Sequence, residues 1–169
     1  ATLVGDRAKI EAVCSAQGFD IDKFEILDEP VELAAVAKAV QLVHDKQGDV
    51  LMKGLCSTDK FLRAILNKEC GLLPAKGLLS HVGIIENPNY HKLMFISDMA
   101  VVPAPEFRQK VAITKFLINT AHSFGIAMPK VAFIAASEQM MDTMPACVEG
   151  AMLSVMASRG QLGACIGDG

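Results

Sequence analysis

The chain has 169 residues, 51% of them hydrophobic and 21% charged, so it is long and apolar enough to bury one substantial core and too apolar to be disordered. Sixteen basic and nineteen acidic residues give a formal net charge of -3, and one Tyr with no Trp leaves little for base stacking, which argues against a nucleic-acid partner. Charged residues interrupt every apolar run before it reaches the roughly 18 residues that a membrane span needs, so we expect a soluble, cytoplasmic protein with no membrane partner.

Strand and helix patterns alternate along the whole chain. Short apolar runs predict the strands, and helical apolar spacing with caps such as Asp6 and Gly18 predicts the helices. In chain order, the pattern predicts a strand at 1–4, a helix from Asp6 to about 17, a strand at 24–27, a helix at 31–46, a strand at 50–52, a helix from about 58, strands at 78–85 and 93–96, a helix at 106–123, a strand at 131–135, a helix from 145 to about 159, and a strand at 163–166.

This alternation predicts an α/β fold of three layers, in which helices cover both faces of a largely parallel sheet. One antiparallel hairpin is expected within residues 78–96, because the turn-rich segment 86–89 joins two strands directly. The chain divides into a first α/β segment (1–48), a central segment with the substrate-binding turn (49–160) and a final strand (161–169). Because the sequence begins inside one strand and ends on another, we expect an internal piece of a longer protein.

The segment 49–71 carries the strongest functional signal. Its short apolar strand delivers Lys53 to a carboxyl end, where open α/β sheets place their ligands. Ser57 or Thr58 follows as the N-cap of a helix whose positive end faces the same place, and Arg63 adds a further cation. This combination predicts an anion-binding site.

Several familiar sites have no matching pattern. A glycine-rich turn ending in Gly-Lys-Ser/Thr and the glycine-rich dinucleotide fingerprint are both missing, which argues against an ATPase, a GTPase or a nicotinamide enzyme. The five cysteines include no Cys-x-x-Cys pair, so neither a zinc site nor a disulfide framework is indicated. We therefore expect no metal, and thiols in a reducing compartment, with Cys56 in the polar turn as the one open candidate for a reactive thiol.

Carboxylates follow three of the predicted strands, at Asp98, Glu138 and Asp168. The carboxyl ends of parallel strands meet at one edge of a sheet, so these side chains are candidates for a general base. A carboxylate after a strand also commonly caps the next helix, and this alternative is strongest for Asp98. Ser80 and His81 follow an apolar pair, but a lone histidine in a strand is more often a packed, hydrogen-bonded residue than an acid or base.

Taken together, several sequence motifs resemble the phosphate acetyl/butyryl transferase family, and most closely its butyryltransferase branch. The motifs are Ala-Thr-Leu-Val-Gly-Asp at 1–6, Leu-Met-Lys-Gly-Leu-Cys-Ser-Thr at 51–58, Phe-Leu-Arg-Ala-Ile-Leu-Asn-Lys-Glu at 61–69, Leu-Leu-Ser-His-Val at 78–82, Phe-Ile-Ser-Asp at 95–98, Pro-Lys-Val-Ala at 129–132 with Ser-Glu at 137–138, Met-Pro-Ala-Cys-Val-Glu-Gly-Ala at 144–151, Arg-Gly-Gln-Leu at 159–162 and Asp-Gly at 168–169. Each motif is weak alone, and the set spans nearly the whole chain.

The resemblance implies an enzyme that transfers a short acyl group, butyryl first, between coenzyme A and inorganic phosphate. Coenzyme A and phosphate would be substrates, with no bound cofactor, and the architecture would be that of the isocitrate/isopropylmalate dehydrogenases. By position, Ser57, Thr58 and Arg63 match the family's phosphate- and CoA-binding turn, and Lys53 matches the lysine of the branch's Met-Lys-Gly.

The remaining site residues are assigned on the same expectation. Asp168 and Glu138 are the catalytic candidates, since one of them would bind or deprotonate the thiol of coenzyme A. Ser80 and Asp98 are candidates for substrate binding. The family's strongest catalytic residues, a Ser-Arg pair with an aspartate behind it, come from a segment beyond the end of this sequence. We therefore expect binding features without full activity from these residues alone.

Other readings stay open at this stage. A phosphate acetyltransferase and a non-catalytic acyl-CoA or phosphate-binding module would share the fold. A decarboxylating dehydrogenase would need grouped metal-binding aspartates, which the sequence lacks. Met152, Val155 and Met156 form an apolar stripe that predicts a homodimer or higher homo-oligomer, although such a stripe is more often core.

Overall fold

The computed structural model describes residues 1–169, which form two compact units, residues 1–77 (unit 1) and residues 78–169 (unit 2). The sequence-based segments have different boundaries, at residues 48/49 and 160/161, and that division stays a prediction. None of the helices is long and apolar enough to cross a bilayer.

Unit 1 is built from two parallel strands, three α-helices and a short 3-10 helix. The elements are β1 (Thr2–Gly5), α1 (Arg7–Gln17), a 3-10 helix (Ile21–Lys23), β2 (Glu25–Asp28), α2 (Glu32–His44) and α3 (Thr58–Ile65). β1 and β2 pair in parallel, with Leu3 opposite Ile26. Asp6 caps α1 as predicted, because its carboxylate accepts the Lys9 N–H at 3.2 Å. Gly18 ends the same helix.

The strand predicted at residues 50–52 is wrong. These residues have no ladder partner, and they lie beside β1, where they line a cavity together with residues 1–4. Val50 and Met52 are 77% and 86% exposed. An apolar run specifies a strand only when a neighbouring strand can accept its backbone hydrogen bonds, and the local pattern carries no information on that partner.

Unit 2 contains four strands and two long helices. The elements are β3 (Gly83–Ile85), β4 (Met94–Ile96), α4 (Phe107–Ser123), β5 (Lys130–Ala132), α5 (Pro145–Ser158) and β6 (Ile166–Asp168). β3 and β4 form the predicted antiparallel hairpin, with Ile84 opposite Phe95. β5 and β6 pair in parallel, with Val131 opposite Gly167.

The pairs β1–β2, β3–β4 and β5–β6 are three separate two-stranded sheets, two of them parallel. The structure is therefore a mixed α/β chain with small parallel sheets, and the prediction of one continuous, largely parallel sheet overstated their extent. The last strand also differs, because it begins at Ile166 and not at Gly163. Gly163 has a φ of 101°, which places it in the turn before the strand.

The core of unit 2 lies between α4, α5 and the β5–β6 pair. Its buried residues are Ile118, Val131, Leu153, Ala157 and Leu162. Met156 packs against this cluster, so it belongs to the core and not to an exposed stripe. Met152 and Val155, on the outer side of α5, are each 47% exposed.

α5 approaches β6 so closely that residue 167 has no room for a side chain. A Cβ on Gly167 would lie 2.7 Å from the Cβ of Ala157 and 3.0 Å from the ring of Phe133. Gly150, inside α5, is different, since a Cβ there would meet its nearest atoms at 3.5 Å, an ordinary contact distance.

These two glycines give a matched pair of alanine substitutions. Gly167→Ala forces α5 away from β6, and we expect it to lower the free energy of unfolding by about 1–3 kcal/mol. Gly150→Ala fits without displacement and gains up to about 1 kcal/mol of helix propensity. Urea unfolding of both variants measures the difference. Equal stability of the two would contradict the close approach.

Candidate functional site

Unit 1 has a cleft at the carboxyl ends of its two strands. It has a volume of about 240 Å³, and its lining includes Gly5 and Asp6 after β1, Glu29 and Pro30 after β2, and Lys53 with Gly54 from the unpaired segment. This is the edge at which an α/β sheet places a ligand. Lys53 thus lines a cleft at this edge, although no strand delivers it there, and its role in binding stays a prediction.

The charges in this cleft are mixed. Lys9 pairs with Asp6 at 3.3 Å, whereas the Lys53 ammonium makes one long hydrogen bond, to the Gly54 carbonyl at 3.4 Å. Glu29 and Glu32 also line the cleft. Lys53 is thus the cation of this cleft that has no carboxylate partner.

The N-terminus of α3 is already occupied by a carboxylate of the chain. Ser57 is the N-cap residue, but its hydroxyl makes no capping hydrogen bond, and its N–H donates to Glu32 at 2.9 Å. Lys60 donates to the other oxygen of Glu32. The Lys60 ammonium and the Ser57 N–H together lower the pKa of Glu32. A phosphate at Ser57 or Thr58 would have to compete with Glu32.

Arg63 lies on the outer face of α3. Its guanidinium pairs with Asp59 one turn earlier at 3.0 Å, and the two side chains are 78% and 67% exposed. Such a pair contributes little to stability, so Arg63 is available for a ligand at small cost. Of the predicted anion-binding residues, Lys53 lines the cleft, whereas Ser57, Thr58 and Arg63 are not among its lining residues.

In unit 2, Asp98 is surrounded by donors of its own chain. One carboxylate oxygen accepts the N–H groups of Ala100 and Val101 at 2.8 and 2.9 Å. The other accepts the Ser80 hydroxyl at 3.0 Å and the His81 N–H at 3.1 Å. The structure thus brings Ser80 and Asp98 together, and Asp98 ties the start of the β3–β4 hairpin to the loop that follows it.

These bonds set the protonation of Asp98. Burial alone would raise the pKa of this carboxyl, but the N–H groups of Val101, Ala100 and His81 and the Ser80 hydroxyl outweigh burial and hold the pKa well below its usual range. A carboxylate so stabilised in its charged form is a poor proton acceptor at neutral pH. The Ser80 proton is likewise directed at Asp98 and not outward.

Glu138 and Asp168 are exposed carboxylates in the region of β5 and β6. Asp168 ends β6 opposite Ala132 of β5, and its carboxylate accepts the Gly169 N–H at 3.1 Å. Glu138 lies in the loop that follows β5. The parallel pairing places Asp168 at the carboxyl edge of the β5–β6 sheet, whereas Glu138 lies six residues beyond the end of β5, and both side chains are exposed.

Unit 2 also contains a cavity of about 320 Å³ between the loop after β4, helices α4 and α5, and the end of β5. Asp98 lines it, together with an ion pair that joins Lys110 of α4 to Glu149 of α5. Sequence reasoning missed this pair. A signal existed, because Glu149 is the one charged residue in α5, which is apolar on most of its surface. No group of three or more His, Cys, Asp or Glu side chains is placed to hold a metal ion.

Comparison with known proteins identifies the family. The phosphate acetyl/butaryl transferase family matches residues 6–168, which is nearly the whole chain. The chain belongs to this family. It is 42% identical over 169 residues to a phosphate butyryltransferase of Clostridium acetobutylicum, and 34% identical over 160 residues to a phosphate acetyltransferase of Rhizobium meliloti.

The alignments cover nearly all of this chain but only about half of each relative. All of this chain matches the Clostridium acetobutylicum protein, but only 56% of that protein is matched, and for the Rhizobium meliloti protein the shares are 95% and 50%. The chain thus spans about half the length of the curated relatives it matches. A crystal structure of a branched-chain phosphotransacylase from Enterococcus faecalis V583 matches 99% of this chain and 67% of its own, with a TM-score of 0.79 and 23% identity, which shows the fold.

The hydrogen bonds at Asp98 predict an acid-sensitive contribution to the stability of this family member. The native pKa of Asp98 is depressed, so its contribution is complete above the unfolded pKa of about 3.9 and is lost progressively as the pH falls from that value toward the lower native pKa. In Asp98→Asn the amide NH₂ faces N–H or O–H donors, and we expect a loss of about 1–3 kcal/mol at neutral pH. That loss should shrink in acid, because the wild type loses part of the same stabilisation there.

Urea unfolding at neutral pH and at about pH 3 measures both effects. The control is Asp142→Asn, at an exposed aspartate in the loop before α5. A loss from Asp98→Asn that is the same at both pH values would contradict the role of the charged carboxylate.

Proposed function

We propose that this chain is part of an acyltransferase that converts an acyl-CoA and inorganic phosphate into an acyl phosphate and free CoA, with butyryl as the acyl group. The observation that carries the proposal is the family match over residues 6–168, together with 42% identity to a phosphate butyryltransferase along the whole chain. The 34% identity to a phosphate acetyltransferase makes acetyl transfer the alternative within the same reaction class.

The reaction defines what the site must do. A phosphate oxygen attacks the thioester carbonyl carbon and forms a C–O bond, and a tetrahedral oxyanion results. The C–S bond then breaks, CoA leaves as a thiolate, and a proton converts the thiolate to the thiol. In the reverse direction a base removes that proton before the thiolate attacks the acyl phosphate. The site therefore needs cations and hydrogen-bond donors for the phosphate and oxyanion, and one group that exchanges a proton at sulfur.

For the anionic groups we propose Lys53, Ser57, Thr58 and Arg63. The exposed Arg63 guanidinium and the Lys53 ammonium without a carboxylate partner support this, because both can reach a ligand without abandoning a strong ion pair. A phosphate at the N-terminus of α3 would displace Glu32 from the Ser57 N–H. The positive end of the helix favours the phosphate over Glu32 when the phosphate carries more negative charge than the carboxylate.

For the proton at sulfur we propose Asp168 or Glu138. Asp168 is exposed at the carboxyl end of β6 and Glu138 is exposed in the loop after β5, so a thiol can reach either one. Asp98 is less suited to that task, because the chain's own donors occupy both of its oxygens. We propose that Asp98 and Ser80 support the substrate site through the loop that they hold.

The same proposal covers the rest of the assembly. The substrates are small molecules, coenzyme A and phosphate, and no bound cofactor is required. The exposed Met152 and Val155 on α5 support a homodimer. The parallel strand pairs are proposed to belong to the three-layer, isocitrate/isopropylmalate dehydrogenase-like architecture, and the compartment is proposed to be the cytoplasm.

The first test measures phosphate-dependent release of free thiol from butyryl-CoA and from acetyl-CoA. The full-length gene product and the 169-residue chain are compared. We expect turnover by the full-length protein, faster with butyryl-CoA, and little or none by the 169-residue chain. If the full-length protein releases no thiol with either substrate, the transferase proposal fails, and a non-catalytic acyl-CoA or phosphate-binding module becomes the better account.

The second test concerns Arg63. In the full-length protein, Arg63→Ala removes one charge-assisted hydrogen bond to a phosphate, and we expect the KM for CoA or phosphate to rise about 10- to 100-fold. Arg108→Ala, at an exposed arginine of α4, is the matched control. Asp59→Asn keeps Arg63 but removes its ion-pair partner, so it should leave the KM unchanged or lower it. Equal kinetics for Arg63→Ala and Arg108→Ala would remove Arg63 from the site.

A further inference from the structure

The unit 2 cavity lies at the carboxyl ends of two strands. Ser97 and Asp98 directly follow β4, whereas Phe133 and Ile134 directly follow β5, and all four line the cavity. A crevice outside the carboxyl ends of strands is where α/β folds bind their ligands. Of the two strands, β5 pairs in parallel with β6, so its carboxyl end is the kind of position at which such folds bind ligands.

The lining of the cavity is mixed. Its polar part includes Ser97, Thr114 and the charged residues described above, and its apolar part consists mainly of Ile113 and Leu117 of α4, Val131 and Phe133 from the β5 region, and Leu153 of α5. Val131 and Leu153 belong to the buried core, so the cavity reaches the interior of unit 2. An apolar ligand group that fills this space binds more tightly because it leaves water, and the gain in binding free energy increases with each methylene that is buried.

The charged groups of the cavity are satisfied by the protein. Lys110 is neutralised by Glu149, with both side chains less than one-third exposed, and the Asp98 oxygens are occupied by the hydrogen bonds described above. No cation is left over for a phosphate or a diphosphate. The cavity therefore suits the uncharged, apolar part of a ligand.

We propose that this cavity binds the hydrocarbon chain of the acyl group, with Ile113, Leu117 and Leu153 as the residues that set chain length. The assignment rests on the proposed function and adds to it the place where acyl specificity is decided. The cavity, of about 320 Å³ and open to solvent on one side, has room for a linear or branched acyl chain of four carbons.

Asp98 has a positioning role in this arrangement. The loop that it holds through the N–H groups of Ala100 and Val101 continues into Val102 and Pro103, which form one wall of the cavity. The wall keeps its place because its first turn is tied to the carboxylate. Asp98 thus acts on the acyl chain through the loop and not by contact with the reacting atoms.

The test narrows and widens the cavity in the full-length protein. Ala146, at the start of α5, lines the cavity, and Ala146→Leu adds a branched side chain to it. Leu117→Ala enlarges it from the side of α4. Ala12→Leu makes the same chemical change as the first variant at an exposed position of α1 and is the control. Circular dichroism and thermal unfolding establish that each variant is folded.

Two readouts separate this inference from the proposed function. The first is the ratio of kcat/KM for butyryl-CoA to that for acetyl-CoA. The second needs no turnover and is the equilibrium affinity for butyryl-CoA relative to free CoA, measured by calorimetry without phosphate. We expect Ala146→Leu to reduce both ratios on the order of tenfold, since two buried methylenes are displaced, and Leu117→Ala to shift preference toward longer or branched chains.

Each result has a defined meaning. Unchanged ratios in folded Ala146→Leu and Leu117→Ala would overturn the acyl-chain assignment, even if the wild type is an active transferase. The expected change in relative affinity without any phosphate-dependent thiol release would support the acyl-chain site and overturn the transferase proposal. If one variant fails to fold, the other still tests the assignment, because the two change the cavity in opposite directions.

Discussion

The close approach of α5 to the β5–β6 pair is the constraint on which unit 2 depends. Residue 167 must be glycine for Ala157 and the Phe133 ring to lie where they do. This contact fixes α5 over the strands, and the same helix supplies Glu149 and Leu153 to the cavity. The core and the cavity are therefore not separable here, because Leu153 of this helix belongs to both.

Three carboxylates of similar sequence context end in two different environments. Asp98 receives four hydrogen bonds and becomes a fixed structural anion, whereas Asp168 at the end of β6 and Glu138 in the loop after β5 stay exposed. A carboxylate whose oxygens accept the chain's own donors is a poor base, and an exposed one keeps the capacity to accept a proton. The proposed division of roles between them therefore rests on their donors and not on their position after a strand.

Local patterns predicted the elements of this fold well, but not their partners. Caps, glycine stops and helical spacing located α1, α4 and α5 within a residue or two, because these signals lie within the elements themselves. Residues 50–52 failed, since a strand needs a neighbour that no local pattern specifies. For the same reason the Asp98 cluster and the Lys110–Glu149 pair were not predicted, as both join residues far apart in the sequence.

Charge limits what the two cavities can bind. The unit 1 cleft contains Lys9 and Lys53 but three carboxylates, and the unit 2 cavity contains Lys110 with Asp98 and Glu149, so neither has a surplus of positive charge. A phosphate in transfer to a thioester carries more than one negative charge and needs such a surplus. The proposed reaction therefore requires cations beyond those that line these cavities. The proposed source of such a cation is Arg63, whose exposed guanidinium lies outside both cavities.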